Sequence, residues 1–424
     1  MTTRPLCRLE NARQGSTLFL LCWAAYAAAY VGRYNYSAVM GAMIADGVLS
    51  HSAAGAVSTG YFICYAAGQL GSGFACQFVS PFGMIFAGLA LSGLCNLGMA
   101  FAPPAALAAL WAANGLLQSM FWPPIVRLFA ESMPLAQQKG ACVNINSTIP
   151  AGTFAAYGLC AVLLAAASWR AAFCACGLLL LGGSVLWQLA TLRLRRACLA
   201  PRAARARAAA KSKAPGGAGA GALRAVLGAG LCWLVLPVLL HGGLKDGVTS
   251  WVPSMVQDRF AVSPAFSAAV SMALPLVNAG GAFAAGWLDR RVLHSELKTA
   301  ASLFLLSCLC LALLPAAVGR SILFSMLLLA LVTASMLGAN TMLVNVMPVR
   351  AGRAGGAALL SGLLNAVTYA GAAAATWGTG LAAGRWGWGA VFALWLAMAG
   401  AALAVSAACT GRWQRFAQSC DGEG

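Results

Sequence analysis

Charge is scarce in this sequence. Of 424 residues only 8% are charged, and only nine are Asp or Glu. A soluble protein of this size carries about a quarter charged residues, so the soluble globular class is excluded. The fifteen cysteines show no C-x-x-C spacing and no Cys/His ligand cluster. Cys174/Cys176 and Cys308/Cys310 are C-x-C pairs, and the rest are scattered through apolar runs. That pattern fits small buried hydrophobes rather than a metal or disulfide framework. No nucleophile–base pair and no Gly-rich phosphate loop stands out, so an enzyme is not indicated and neither cofactor nor metal is expected. The first apolar run is too long for a signal peptide and lacks a convincing small-residue cleavage site. It reads as the first membrane span.

What is abundant is apolar. Hydrophobic residues make up 61% of the chain, in runs long enough to cross a bilayer, which takes roughly 20 residues each. Twelve spans are marked, near 17–40, 53–77, 82–102, 104–130, 139–166, 170–192, 225–250, 264–288, 299–318, 321–346, 354–381 and 388–409. They are rich in Gly and Ala, which let helix backbones approach closely in lipid. The net charge is +18, but its placement speaks against nucleic acid as a partner. With the N-terminus in the cytoplasm, 21 of the 27 Lys and Arg fall in inner segments, and only Arg170, Arg259, Arg320 and Arg385 in outer ones. That is the positive-inside bias. The sequence thus predicts an all-α membrane protein of twelve transmembrane helices in two pseudo-symmetric six-helix halves, 1–192 and 225–424. The basic segment 193–224 joins them as a solvated cytoplasmic linker, with an anionic-lipid contact as the other reading. Both termini are placed in the cytoplasm, a bacterial inner membrane is the default location, and a monomer in the lipid bilayer is expected.

Weak internal matches support the duplication. Trp169-Arg-Ala-Ala-Phe173 resembles Trp388-Gly-Ala-Val-Phe392, at an offset of 219. Met133-Pro134 with Lys139 resembles Met347-Pro348 with Arg353, at an offset of 214. Gly73 and Gly286 correspond at 213. Parallel repeats of this kind build one large class of transporters.

Two cations remain that no loop accounts for, Arg33 and Lys245. They sit at nearly equivalent places in the first helix of each half, close to the middle of their apolar runs. An ion at that depth costs at least ~2.5–3.5 kcal/mol on insertion scales. Asp46 is 13 residues beyond Arg33, about 20 Å along a helix. Asp246 adjoins Lys245, but neighbours on an α-helix point in different directions, so no pairing is expected there. A water-filled cavity holding both cations, neutralised by a small-molecule anionic substrate, resolves the cost. The other reading is a buried ion pair or a cation capping backbone carbonyls. Arg grips carboxylate or phosphate with a planar fork and Lys offers a point charge. Two cations suit a dianion such as a phosphate monoester, while a dicarboxylate or a sulfonate stays open.

Polar neighbours fill out the candidate binding set. Tyr30, Arg33, Tyr34 and Ser37 follow i, i+3, i+4, i+7 spacing and share one helix face. Tyr61 and Tyr65 form an i, i+4 pair in the second span, as do Asn365 and Tyr369 in the eleventh. Asn144, Asn146, Ser147 and Thr148 add donors in the fifth. Helix packing or an interfacial aromatic belt is the competing role for each of these.

Several motifs carry a family resemblance. They are Gly32-Arg33-Tyr34-Asn35-Tyr36-Ser37, Gln118-Ser-Met-Phe-Trp-Pro-Pro-Ile-Val-Arg127, Lys139-Gly140, Lys245 with Trp251-Val-Pro253, and Ser361-Gly-Leu-Leu-Asn365 with Tyr369 and Gly371. Over almost its full length the chain resembles the major facilitator superfamily, and within it the organophosphate:phosphate antiporters of glycerol phosphate and hexose phosphates. The resemblance implies that Arg33 and Lys245 grip a phosphoryl group while the halves rock around it. Three features depart from the pattern. The seventh-span cation is Lys245, where Arg is frequent. The stretch Asn144–Thr148 holds no histidine. The loop Gly73–Gly83 has no charge, whereas Gly286-Trp-Leu-Asp-Arg-Arg291 keeps its own. These leave room for a substrate outside the classical sugar phosphates. Pro123-Pro124 is expected to kink the fourth span, and Arg127 to pair with Glu131 at i+4.

The leading expectation is exchange of an organophosphate for inorganic phosphate by alternating access. Near absence of carboxylates within the spans favours it, since proton-coupled carriers use titratable intramembrane groups. Asp246 and His241 are the coupling or ion-pair candidates for the alternative, a proton-coupled organic-anion (carboxylate) transporter. A transporter-like sugar-phosphate sensor is the third reading.

Overall fold

The computed structural model of the chain describes residue 9 and residues 11–76, 79–134, 137, 141, 144–198, 231–347 and 357–422. Lys139, Gly140, Pro348, Arg353 and most of the linker, from 199 onward, lie outside the described residues.

Within the described residues, each of the twelve apolar runs is mainly helical. α1 is Ala12–Ala45, α2 His51–Ala75 and α3 Pro81–Phe101. The fourth run is two helices, α4 (Pro104–Gln118) and α5 (Trp122–Ser132). This corrects the kink expected at Pro123-Pro124: the two prolines start a new helix rather than kink a continuous one. Proline is tolerated in a first turn, where its missing N–H has no helical partner in any case. A 3₁₀ turn, Ile145–Ser147, leads into α6 (Thr148–Ala166), and α7 is Trp169–Cys198.

The seventh run is composite: a 3₁₀ turn Leu231–Leu234, α8 (Val235–Gly242), a π-helical turn Gly243–Gly247 and α9 (Val248–Phe260). It reaches ten residues past the expected end at 250. α10 (Pro264–Ser271) and α11 (Ala273–Leu288) continue into a second π turn, Asp289–Leu293. α12 is Glu296–Ala317, and α13 (Ile322–Asn340) ends in a third π turn, Thr341–Val346. α14 (Ala357–Trp386) and α15 (Trp388–Gly422) complete the chain. Among the described residues, eight helices are long and apolar enough to cross a membrane by length and composition. The other four runs correspond to α2, α4–α5, α8–α9 and α14.

Local chemistry fixes the boundaries. Ser263 and Ser321 cap α10 and α13, their Oγ accepting from the N–H of Phe266 and Phe324 at 3.2 Å. α14 and α15 are joined by a single residue, Gly387, at φ +76°. A side chain there would strain the turn. The matching Trp motifs open equivalent helices, with Trp169 at the start of α7 and Trp388 at the start of α15.

The described chain groups into two compact units. The first comprises Met1–Val39 and Ile63–Ala214, the second Met40–Phe62 and Pro215–Gly424. In the first, α3 packs along α7 through small residues: a Cβ on Gly93 would stand 3.0 Å from the Gly177 carbonyl oxygen. In the second, α8 and α14 meet backbone to backbone. A Cβ on Gly242 would strike the carbonyl of Thr368, and one on Gly371 the carbonyl of Leu239. The hairpin Met40–Phe62 belongs to this unit through Gln257 Nε2, which donates to the Gly41 carbonyl (3.1 Å), and through Thr59 Oγ1, which donates to that of Ala373 (3.0 Å).

Candidate functional site

In the first unit, α1 carries Arg33 as the twenty-second of its 34 residues. Its side chain is buried, at 8% exposure. The guanidinium carbon lies 4.7 Å from the centroid of the Tyr65 ring, 5.7 Å from Tyr34 and 5.8 Å from Tyr30. Each distance falls within cation–π range. The spacing argument thus places Tyr30 and Tyr34 correctly, and α2 brings Tyr65 to the same cation. The rings continue outward from it. Tyr30 and Tyr34 are stacked at 6.1 Å, Tyr34 meets Tyr157 edge-on at 6.4 Å, and Tyr26 bridges Tyr30 and Trp122 at 5.1 and 5.8 Å. Ser37 is buried in the same helix.

Polar residues that the spacing argument did not single out hold α1 from behind. Gln118 Nε2 donates to the Ala29 carbonyl at 3.0 Å. Asn114 Nδ2 and Asn96 Nδ2 donate to that of Gly32 at 3.2 and 3.4 Å. Asn35 Nδ2 donates to Asn96 Oδ1 at 2.7 Å, and Ser92 Oγ to Asn114 Oδ1 at 2.5 Å. A signal was present, because Ser92/Asn96 and Asn114/Gln118 are i, i+4 polar pairs inside apolar spans. Ser147, by contrast, is engaged away from Arg33. Its Oγ accepts from Trp23 Nε1 (2.8 Å) and donates to the carbonyl of Asn144 (2.7 Å). Thr148 turns back to the Ile145 carbonyl at 2.7 Å, and Asn144 is exposed. Arg127 pairs with Glu131 at 3.0 Å, as expected, and also donates to the carbonyl of Cys76.

In the second unit, Lys245 is the fifteenth of the thirty residues from Leu231 to Phe260. Its Nζ lies 3.4 Å from Asp246 Oδ2. This overturns the expectation that the two point apart, and the π turn is the reason. With more than four residues per turn, successive side chains diverge by a smaller angle than on an α-helix. Lys245 Nζ is also 5.8 Å from the Tyr369 ring, which stacks on Phe62 at 6.3 Å. Phe62 in turn meets Tyr61 edge-on at 5.5 Å. Asn365 lies one turn before Tyr369 and is partly exposed. His241 is fully buried, with Nδ1 2.6 Å from the carbonyl of Val238 and Nε2 3.0 Å from Asn340 Oδ1. A neutral ring that donates from Nδ1 and accepts an N–H from the Asn340 amide, rotated, satisfies both contacts.

A profile of the Major Facilitator Superfamily matches residues 22–376. The chain belongs to this superfamily. The fold agrees with that of solved members. A bacterial homologue of the human lysosomal transporter Spinster, inward-facing and unoccupied, is similar with a TM-score of 0.73, at 14% identity over 96% of this chain and 98% of that one. The peptide transporter POT in complex with sulfate has a TM-score of 0.66, at 14% identity over 95% of each chain. No curated protein matches the sequence. As a major facilitator, the protein is an integral multi-pass secondary transporter and not an enzyme.

Proposed function

We propose that this major facilitator carries an organic anion, an organophosphate such as a sugar phosphate or glycerol phosphate, in exchange for inorganic phosphate by alternating access. The observation that carries the proposal is Arg33. It is a permanent cation, unable to release its proton, buried at 8% exposure deep in an apolar helix and faced by three tyrosine rings. Cation–π contact orients the guanidinium, and its planar fork suits an oxyanion such as a phosphoryl group. Tyr30, Tyr34 and Tyr65 add hydroxyls that donate to the remaining oxygens. Lys245 is the corresponding anion ligand of the second unit. The sulfate complex of POT supports the reading, in that another protein of this fold holds a tetrahedral oxyanion. The charge bias of the loops supports cytoplasmic termini.

The test is uptake of labelled phosphate into proteoliposomes preloaded with unlabelled phosphate, without a proton gradient. Exchange by the wild type that disappears in Arg33→Ala supports the proposal. A correctly inserted wild type that exchanges no phosphate refutes it.

One observation favours a second reading, proton-coupled transport of an organic anion. The Lys245–Asp246 contact at 3.4 Å makes that pair neutral overall. An anion that takes Lys245 competes with the buried Asp246 carboxylate, a group that a proton can neutralise. Uptake of a carboxylate panel that requires an inward proton gradient would favour this reading over exchange.

A further inference from the structure

We propose that Asn96, Asn114 and Gln118 are positioning residues that set the depth and rotation of Arg33. This rests on the reading of Arg33 as the anion ligand. The three amides come from α3 and α4 and grip the α1 carbonyls of Ala29 and Gly32, four residues and one residue before Arg33. Each amide is 3% exposed or less, so water does not substitute for a lost bond. Moving α1 along its screw by one residue displaces every carbonyl by about 1.5 Å and turns it about 100°, which breaks all three contacts at once. Packing between smooth apolar helices offers no comparable restraint in lipid.

Three further contacts close the device. Asn35 Oδ1 accepts the N–H of Tyr36 at 2.9 Å, the donor whose regular helical acceptor is Gly32. Gly32 itself has no room for a side chain, since a Cβ would collide with Leu180 and stand 3.3 Å from Asn96 Nδ2. On another side of α1, a Cβ on Gly152 of α6 would stand 2.5 Å from Tyr30 Cβ. Amides suit the task because they donate and accept without adding charge. Ser92 Oγ joins two of them, donating to Asn114 Oδ1 and accepting from Gln118 Nε2 at 3.2 Å.

The experiment compares wild type with Asn114→Leu and Gln118→Leu, each in the full-length protein. Half-saturation and maximal rate of phosphate exchange are measured per inserted protein, with the melting temperature in detergent. The rate of phenylglyoxal modification of Arg33 is read by mass spectrometry, with the exposed Arg320 as internal control. A positioning role predicts that half-saturation rises about tenfold, as the loss of one buried hydrogen bond allows. Maximal rate should stay close to wild type, while the melting temperature falls modestly because a buried carbonyl loses a donor. Modification of Arg33 should change severalfold while that of Arg320 does not. Unchanged half-saturation and unchanged Arg33 labelling would overturn the inference, as would a loss confined to maximal rate and melting temperature. If the wild type exchanges no phosphate, the anion reading has failed, and the labelling of Arg33 still decides the positioning role. If Asn114→Leu does not insert, Gln118→Leu carries the same test.

Discussion

Lys245 Nζ and Asp246 Oδ2 lie 3.4 Å apart, although the two residues are adjacent in sequence. The π turn Gly243–Gly247 makes this possible. Its glycines let the turn widen against α14, where a Cβ on Gly243 would approach Ala375 Cβ to 2.8 Å. A half-buried lysine thus has a counter-charge from its own turn.

If transport is charge-balanced exchange, Asp246→Asn keeps most phosphate self-exchange, because Lys245 retains its charge and loses only a competitor. Exchange rates in proteoliposomes at zero proton gradient check this. Loss of exchange by a folded, inserted variant would favour proton coupling through Asp246.

Arg33→Lys keeps the charge and removes the planar fork. Losing one charge-assisted hydrogen bond, worth about 1.5–3 kcal/mol, weakens phosphate binding roughly 10- to 100-fold. The half-saturation of exchange reads this directly, and near-normal affinity would exclude a bidentate contact.

Tyr65→Phe keeps an aromatic face 4.7 Å from the guanidinium, whereas Tyr65→Leu removes it. A desolvated cation–π contact is worth up to about 2 kcal/mol. The Leu variant should therefore lower thermal stability more than the Phe variant. Equal melting temperatures for the two would show that the ring does not hold Arg33.

Asp258 Oδ2 accepts from Trp388 Nε1 at 3.0 Å and contacts His51 Nε2 at 2.8 Å. The ring of His51 also stacks on Trp251 at 6.2 Å. Asp258→Ala removes both polar contacts and should cost about 1–2 kcal/mol locally. Faster hydrogen exchange near the start of α2 and of α15, with the rest of the second unit unchanged, is the expected signature.

Gly371→Leu forces a side chain into the backbone of Leu239 and should abolish folding, since overpacking costs about 1–3 kcal/mol even where neighbours can shift. Gly280→Leu is the control, because nothing lies within 4 Å of a Cβ there. Yield of monodisperse protein in detergent distinguishes the two.

The spans were legible because lipid imposes a length and a polarity on every crossing helix. Arg33 and Lys245 were legible for the same reason, since an ion in an apolar run stands out in one dimension. The Tyr30/Arg33/Tyr34 face followed from helical periodicity. The contact of Tyr65 with Arg33 did not, because it depends on how α2 lies against α1. The amide grip on Ala29 and Gly32 left a trace in i, i+4 polar pairs, but its target is backbone, which no side-chain pattern names. His51 and Asp258 are 207 residues apart, and nothing local to either announces the other.

The sequence by itself determined the class of protein, its apolar helical runs and the place of Arg33 and Lys245 within them, because hydropathy, charge and periodicity act along the chain. Tertiary structure alone decided what each cation touches. Arg33 gained a setting of tyrosine rings and a helix pinned by amides from α3 and α4. Lys245 gained a carboxylate through a turn that packing against α14 accompanies. Contacts of that kind depend on helix rotation and close backbone approach, and these are settled only when distant segments meet.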